Sequence, residues 1–221
     1  MKPIWKFRLF AVLVFVFVGG LSISNLVAEF LRTAAAPLRS GIVTAPTANQ
    51  VSSLGRAAAI APLRSDLKAD YALALAGQTL KSESAPEVQG NGTAQNAVKQ
   101  ALKIGPHDSR MWLALALLQA RSNLGDSLIA ESLKMSYLTG PNRAELVPVR
   151  LDTVTLHQSL NDLDLKELAR GDVRIILTQL PDQRQTLVKD YVRGSAIGKT
   201  FLEESARMFD PKFADSLRSA K

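Results

Sequence analysis

Ser109-Arg110-Met111-Trp112-Leu113-Ala114-Leu115-Ala116-Leu117-Leu118-Gln119-Ala120-Arg121 is the stretch that decides the fold. Trp112, Leu115, Ala116 and Leu118 recur at steps of three and four, the period of one helix face rather than the alternation of a strand. Asp108 or Ser109 is positioned to cap the start, and Asn123-Leu124-Gly125-Asp126 turns the chain. Ser127 to Leu138 returns as a second helix, and Gly140-Pro141 ends it. Upstream, Thr93 opens a helix with Ala94, Ala97, Val98, Ala101 and Leu102 on one side, stopped by Gly105-Pro106. Before it lie a polar loop, Ser82 to Gly92, and a helix capped by Ser65 with Leu67, Tyr71, Ala74, Leu75 and Gln78 on one face. Downstream, helices are expected over Ala144–Leu160, Leu163–Leu180, Gln183–Val192 and Ser195–Met208, the last closed by Asp210-Pro211. The expected fold class is all-α.

The stretch from Leu67 to Pro141 resembles tetratricopeptide-type helical repeats. Trp112, Leu115 and Ala116 match the first helix of that repeat in order and spacing; Ala94, Val98, Ala101 and Pro106 match the second helix of the preceding unit. Pro106 to Pro141 is 35 residues, beside a repeat period of about 34. Gln119 stands where the repeat has Tyr, and the Ser82–Gly92 loop is an insertion. The resemblance implies an irregular array of α-hairpins whose small residues let helices approach, with the last helices capping the stack.

At the N-terminus, Lys2, Lys6 and Arg8 precede an uncharged run from Leu9 to Val27, after which comes Glu29. These 19 residues span roughly 28 Å as a helix, close to the apolar thickness of a bilayer. The basic bias before the run places the N-terminus in the cytoplasm and the remainder across the membrane. A cleaved export signal is the competing reading, given small residues at Gly19, Gly20, Ser22 and Ser24 and a possible Ala34-x-Ala36 cleavage site. Both readings export the same domain. Gly20, Ser24 and Ala28, four apart, form a candidate surface for packing against another membrane helix.

The domains expected are a cytoplasmic stub and transmembrane anchor (1–30), an Ala/Pro-rich linker (31–64), the helical domain (65–211) and a C-terminal tail (212–221). Pro37, Pro46 and Pro62 interrupt the linker, which reads as a spacer holding the domain away from the bilayer, with a short helix possible over Val51–Ile60. The absence of cysteine excludes disulfides and thiol chemistry, and two histidines exclude a histidine-rich zinc site. A net charge of +7 is scattered along helices, with no basic block and few aromatic residues to stack bases, so nucleic acid is not an expected partner.

Gly194-Ser195-Ala196-Ile197-Gly198-Lys199-Thr200 has the ending of a phosphate loop, but Arg193 occupies the place of the required first glycine and no strand feeds it. It reads as a turn before a helix. His107 sits in a turn, and His157 sits late in a helix; neither has a nucleophile beside it. Asp162, Asp164, Glu167 and Asp172 lack the glycine of a calcium loop and read as caps and ion pairs, with Lys166 four residues from Asp162. Glu203 and Glu204 are adjacent on a helix and diverge. No catalytic residue, cofactor or metal is expected.

Arg110, Arg143 and Arg150 are the candidate partner-binding residues, placed to line the groove of a hairpin array. The function expected is a membrane-anchored scaffold or adaptor for protein–protein interactions in cell-envelope assembly, partnering a membrane complex. A non-catalytic binding module for an anionic polysaccharide or lipid is the alternative. The overall plan resembles accessory proteins of bacterial polysaccharide export and envelope assembly. That resemblance implies a single-pass protein of the inner membrane with its helical domain in the periplasm.

Overall fold

The computed structural model describes residues 3–34, 46–82 and 88–219, and within them eleven α-helices and no strand. Helix α1 (Pro3–Ala34) is unbroken. Its segment Trp5–Arg32 is long and apolar enough to cross a membrane. Phe7, Phe10, Phe15, Phe17 and Ile23 are all exposed. The polar side chains within it are satisfied locally: Ser22, Ser24 and Asn25 donate to the carbonyls of Val18, Gly20 and Leu21, each at 2.9 Å. In hydrocarbon such back-bonding spares the helix an unpaired donor.

Five helices then follow in sequence-adjacent antiparallel order. Helix α2 (Ala48–Ile60) is opened by Thr47 and Gln50, which bond reciprocally: the Gln50 N–H donates to the Thr47 hydroxyl at 3.3 Å, and the Thr47 N–H to the Gln50 side chain at 2.8 Å. Helices α3 (Ser65–Lys81) and α4 (Val88–Ile104) pack extensively on each other, as do α5 (Ser109–Arg121) and α6 (Asp126–Thr139). Helix α3 also touches α5. Their interfaces are built from fully buried Ala72, Ala76, Ala94, Val98, Ala114 and Ala116, with Leu113, Leu118 and Leu133 filling the space between. Each buried leucine contributes about 1.5–3 kcal/mol, and the alanines bring the backbones close enough to make that burial possible.

The remaining elements form a less regular cluster: α7 (Val147–Leu156), a 3-10 turn (Gln158–Asn161), α8 (Leu163–Gln179), α9 (Arg184–Arg193), α10 (Ala196–Phe209) and α11 (Pro211–Ser219). Helix α10 lies at its centre, touching α7, α8, α9 and α11. Phe201, Leu202 and Ala206 carry that contact.

Several segments differ from the sequence-based expectation. Residues 35–45 of the expected spacer lie outside the described residues; the short helix expected over Val51–Ile60 is present as α2, begun three residues earlier, but it is folded onto α1 instead of forming part of an open spacer. Val51, Leu54, Ala57 and Ala58 are buried there against α1 and α3. Helix α3 has Arg64 rather than Ser65 at its cap position, with no side-chain capping bond. Helix α4 begins at Val88, so Gly90, Asn91 and Gly92 belong to its first turns and not to a loop. Burial of Asn91, whose side-chain amide donates to the Leu118 carbonyl at 3.0 Å, offsets the poor helix propensity of the glycines around it. The segment Ala144–Leu160 is a ten-residue α-helix and a separate 3-10 turn. Finally, Pro211 opens a helix instead of ending the fold. Proline suits the first helical position, Asp210 accepts from the Phe213 N–H at 3.1 Å, and Ala214 and Leu217 are buried.

Candidate functional site

The sequence-predicted arginines are brought to one end of the array but divide into two roles. Arg110 begins α5 and Arg143 lies in the α6–α7 connection; both line an open cleft with Ile104, Pro106, His107 and Thr139. Arg110 grips Asp108 in a fork, Nη2 to Oδ2 at 2.7 Å and Nε to Oδ1 at 3.1 Å. Asp108 also caps α5 by accepting from the Arg110 N–H at 3.0 Å. Burial opposes the Asp108 charge, but the hydrogen bonds and charge of Arg110 outweigh it and hold the carboxyl below its ordinary range. Arg143 reaches Glu145 at 3.4 Å. The cleft is therefore ion-paired: an incoming acidic group must compete with carboxylates already in place.

Arg150 is corrected from groove residue to core residue. It is fully buried. Its guanidinium donates to the Ser136 hydroxyl at 3.1 Å, to the Ser136 carbonyl and to the Gly140 carbonyl at 2.9 Å, and lies 4.6 Å from the centre of the Tyr137 ring. Those carbonyls are at the C-terminal end of α6, where the helix leaves them without internal partners. A guanidinium fork meets both of them, so the α6–α7 connection has a reason to bury a charge. The Ser136 hydroxyl in turn donates to the Ser109 carbonyl at 2.8 Å. Gly140 sits so close to Ser109 that an added Cβ would lie 2.4 Å from its hydroxyl. Arg150 thus fixes the floor of the cleft that Arg110 and Arg143 line.

Behind it, Asp172 of α8 is buried near Tyr137 and Arg150. Burial pushes its carboxyl up to about 7, with Arg150 and the Tyr137 hydroxyl opposing the shift. Asp190 of α9 is likewise raised to about 7 by burial and by the neighbouring Asp152 carboxylate, with Arg193 opposing. Neither lies on an open cleft with a nucleophile beside it, and among the described residues no cluster of side chains has a metal-binding arrangement.

The small-residue surface on α1 is only partly free. Ala28 is fully buried against Ala57 and Ala58 of α2, Ala61 just past its end and Leu67 of α3, so its small size serves a contact inside this chain. Ser24 is half-buried, and Gly20 is exposed with open space where a Cβ would be.

The other motifs resolve simply. Ser195 caps α10, accepting from the Gly198 N–H at 3.1 Å and donating its hydroxyl to the Thr155 carbonyl at 2.9 Å. Only Gly194 and Ser195 of the glycine-rich segment form the turn; Ala196 to Thr200 are already the start of α10. Asp162 caps α8 by accepting from Leu165, as its sequence position suggests, but its ion-pair partner is Lys134 of α6; Lys166 pairs with Glu204 of α10. His107 is exposed, and His157 is half-buried at the end of α7.

A second groove, between α6 and α8, was not singled out from the sequence. Met135, Leu138 and Leu168 line it together with Glu131, Lys134, Asp164 and Glu167. The acidic spacing Asp164–Glu167 was the available signal, but only the packing of α8 on α6 places it beside Met135.

No protein-family model matches the chain, and neither a curated protein nor a solved structure matches it at a significant level.

Proposed function

We propose that this chain is a membrane-anchored helical-repeat scaffold that holds partner proteins of a membrane complex in cell-envelope assembly. The observation that carries the reading is the direct packing of a hairpin array on the end of a membrane-length helix. Ala28, Leu31, Glu29 and Arg32 of α1 meet α2 and α3 with no intervening spacer among the described residues. In such an arrangement the anchor raises the local concentration of the array beside any partner in the same membrane. The packing of α3 on α4, of α5 on α6 and of α3 on α5 supports the tetratricopeptide-like reading. The proposed location is the bacterial inner membrane, crossed once, with a cytoplasmic N-terminus and a periplasmic domain. Binding rather than catalysis is the proposed mode of action.

The second reading, an anionic polysaccharide or lipid ligand, draws on Arg110 and Arg143 at one cleft. Their existing carboxylate partners weaken it. It predicts salt-sensitive binding to the chain in the absence of other proteins.

Purification of the full chain from its native membrane in mild detergent tests the proposal. Discrete co-purifying proteins, retained in the wild-type and lost with Arg110→Glu plus Arg143→Glu, are the expected result. A chain that emerges alone, yet binds a soluble acidic polysaccharide, contradicts the scaffold reading.

A further inference from the structure

The end of α1, the α2–α3 turn and the start of α3 are held at one height. Ala28 of α1 is buried in a cluster with Ala57, Ala58, Ala61 and Leu67. Arg64 reaches Glu29 at 2.9 Å, whereas Asp66 and Asp70 take Arg32 at 3.0 and 2.8 Å. Later residues of α3 pair with later residues of α1, so the two helices run in the same sense. Helix α2 runs against them: Val51 and Leu54 cluster with Ala74, far along α3, and Ala61 clusters with Leu67 near its start. The α2–α3 turn is consequently the part of the folded domain nearest the apolar run. It stands at the height of Ala28 and Glu29, within about one helical turn (~5 Å) of Val27.

That turn presents an apolar tip. Leu63 is 87% exposed and follows Pro62 and the 39% exposed Ile60. A leucine this exposed does no packing within the chain. The acids beside it, Glu29 and Asp66, are both paired with Arg64, so no bare carboxylate opposes its entry into lipid. The other turns at this end follow the same edge. Gly105 lies against Ser65, and Gly140 against Ser109. Exposed Ile104 and Leu138 accompany them.

We infer that the α2–α3 turn is seated in the headgroup boundary of the bilayer that α1 spans, with Leu63 inserted, so that the array stands directly on the lipid surface. The inference rests on the reading of α1 as a retained anchor. Because α1 already delivers the turn to that depth, insertion of Leu63 carries no separate cost of bringing the domain to the membrane. Arg64 can keep its guanidinium at the polar boundary while its stem lies along apolar surface. With the charges beside Leu63 matched in pairs, Glu29 and Asp66 to Arg64, its contact is apolar in character and insensitive to salt and to the fraction of anionic lipid.

The chain has no cysteine, so single labels report one position each. The full chain is reconstituted in phosphatidylcholine vesicles with an environment-sensitive fluorophore on Leu63→Cys, on Phe15→Cys or on Leu124→Cys. Leu124 is also an exposed leucine, placed in the α5–α6 turn at the opposite end. Lipid spin-labelled near the headgroup should remove most of the emission at position 63 and leave that at 124 unchanged, in low and high salt alike. Lipid spin-labelled deep in the acyl chain should quench position 15. Quenching at 15 with none at 63 overturns the seating of the turn while leaving the anchor intact. Absence of quenching at 15 overturns the anchor, and the inference with it.

Discussion

At the scale of single residues, the helix contacts depend on positions where nothing larger fits. Gly198 is one: a Cβ there would lie 2.2 Å from the Thr155 carbonyl oxygen, where α10 crosses the end of α7. The obstacle is backbone, so relief requires moving a helix. Gly198→Ala should therefore destabilise the domain by about 1–3 kcal/mol or more, read as a lower denaturation midpoint at unchanged slope. Asp172 gives the pH dependence an unusual sign. Its folded value of about 7, against 3.8 for a free aspartate, means the folded state holds a proton that the unfolded state releases between those limits. Stability from this group is full below about pH 4 and is lost as pH rises through 7. Denaturation in detergent at about pH 5 and pH 8 should show the chain more stable at the acid value by an amount on the order of a few kcal/mol; Asp172→Asn should reduce the difference, and Asp190, raised to the same value, carries the remainder. Arg150 marks where residue-level sequence reading stops. An arginine at a helical period with Arg143 reads as a surface cation, because charged residues are rarely fully buried. The carbonyls of Ser136 and Gly140 that reward its burial come from another helix, and no spacing within α7 reveals them.

At the scale of elements, the helices that carry strong local signals were legible and those made by tertiary contact were not. Gly105-Pro106 and Gly140-Pro141 terminate α4 and α6 where the sequence places their ends, and Asp108 caps α5. Helix α2 was legible over Val51–Ile60, but its start was not: the signal there, Thr47-x-x-Gln50, was masked by the alanines and prolines around it. The early start of α4 and the existence of α11 depend instead on what they touch: Leu118 for Asn91, and α10 for Ala214 and Leu217. The join between α1 and α2 offers the sharpest test at this level. Ala28→Leu forces added volume into a filled alanine interface and should cost about 1–3 kcal/mol, with faster hydrogen exchange in α2 but not in α5 or α6. Arg32→Ala removes only partly exposed ion pairs to Asp66 and Asp70 and should cost no more than about 1 kcal/mol. The opposite ranking would mean that charge, rather than close packing, holds the domain to its anchor.

At the scale of the whole molecule, an apolar N-terminal helix and an all-helical remainder were both evident from hydrophobic period and charge. Their mutual geometry was not. A stretch with Pro37, Pro46 and Pro62 reads as a spacer, yet the second half of it returns along α1 and ties the array to the end of the anchor. The consequence is orientation. The cleft of Arg110 and Arg143 lies at the same end as the α2–α3 turn; with α1 spanning a bilayer as proposed, it would face that bilayer and suit a partner embedded in it. The measurement that tests the scaffold reading most directly is photo-crosslinking in the native membrane, with a photoreactive residue replacing Arg143 in the full chain. Discrete adducts of higher mass that contain another protein are the expected result. Adducts to lipid or glycan alone, with no protein captured, would contradict that reading.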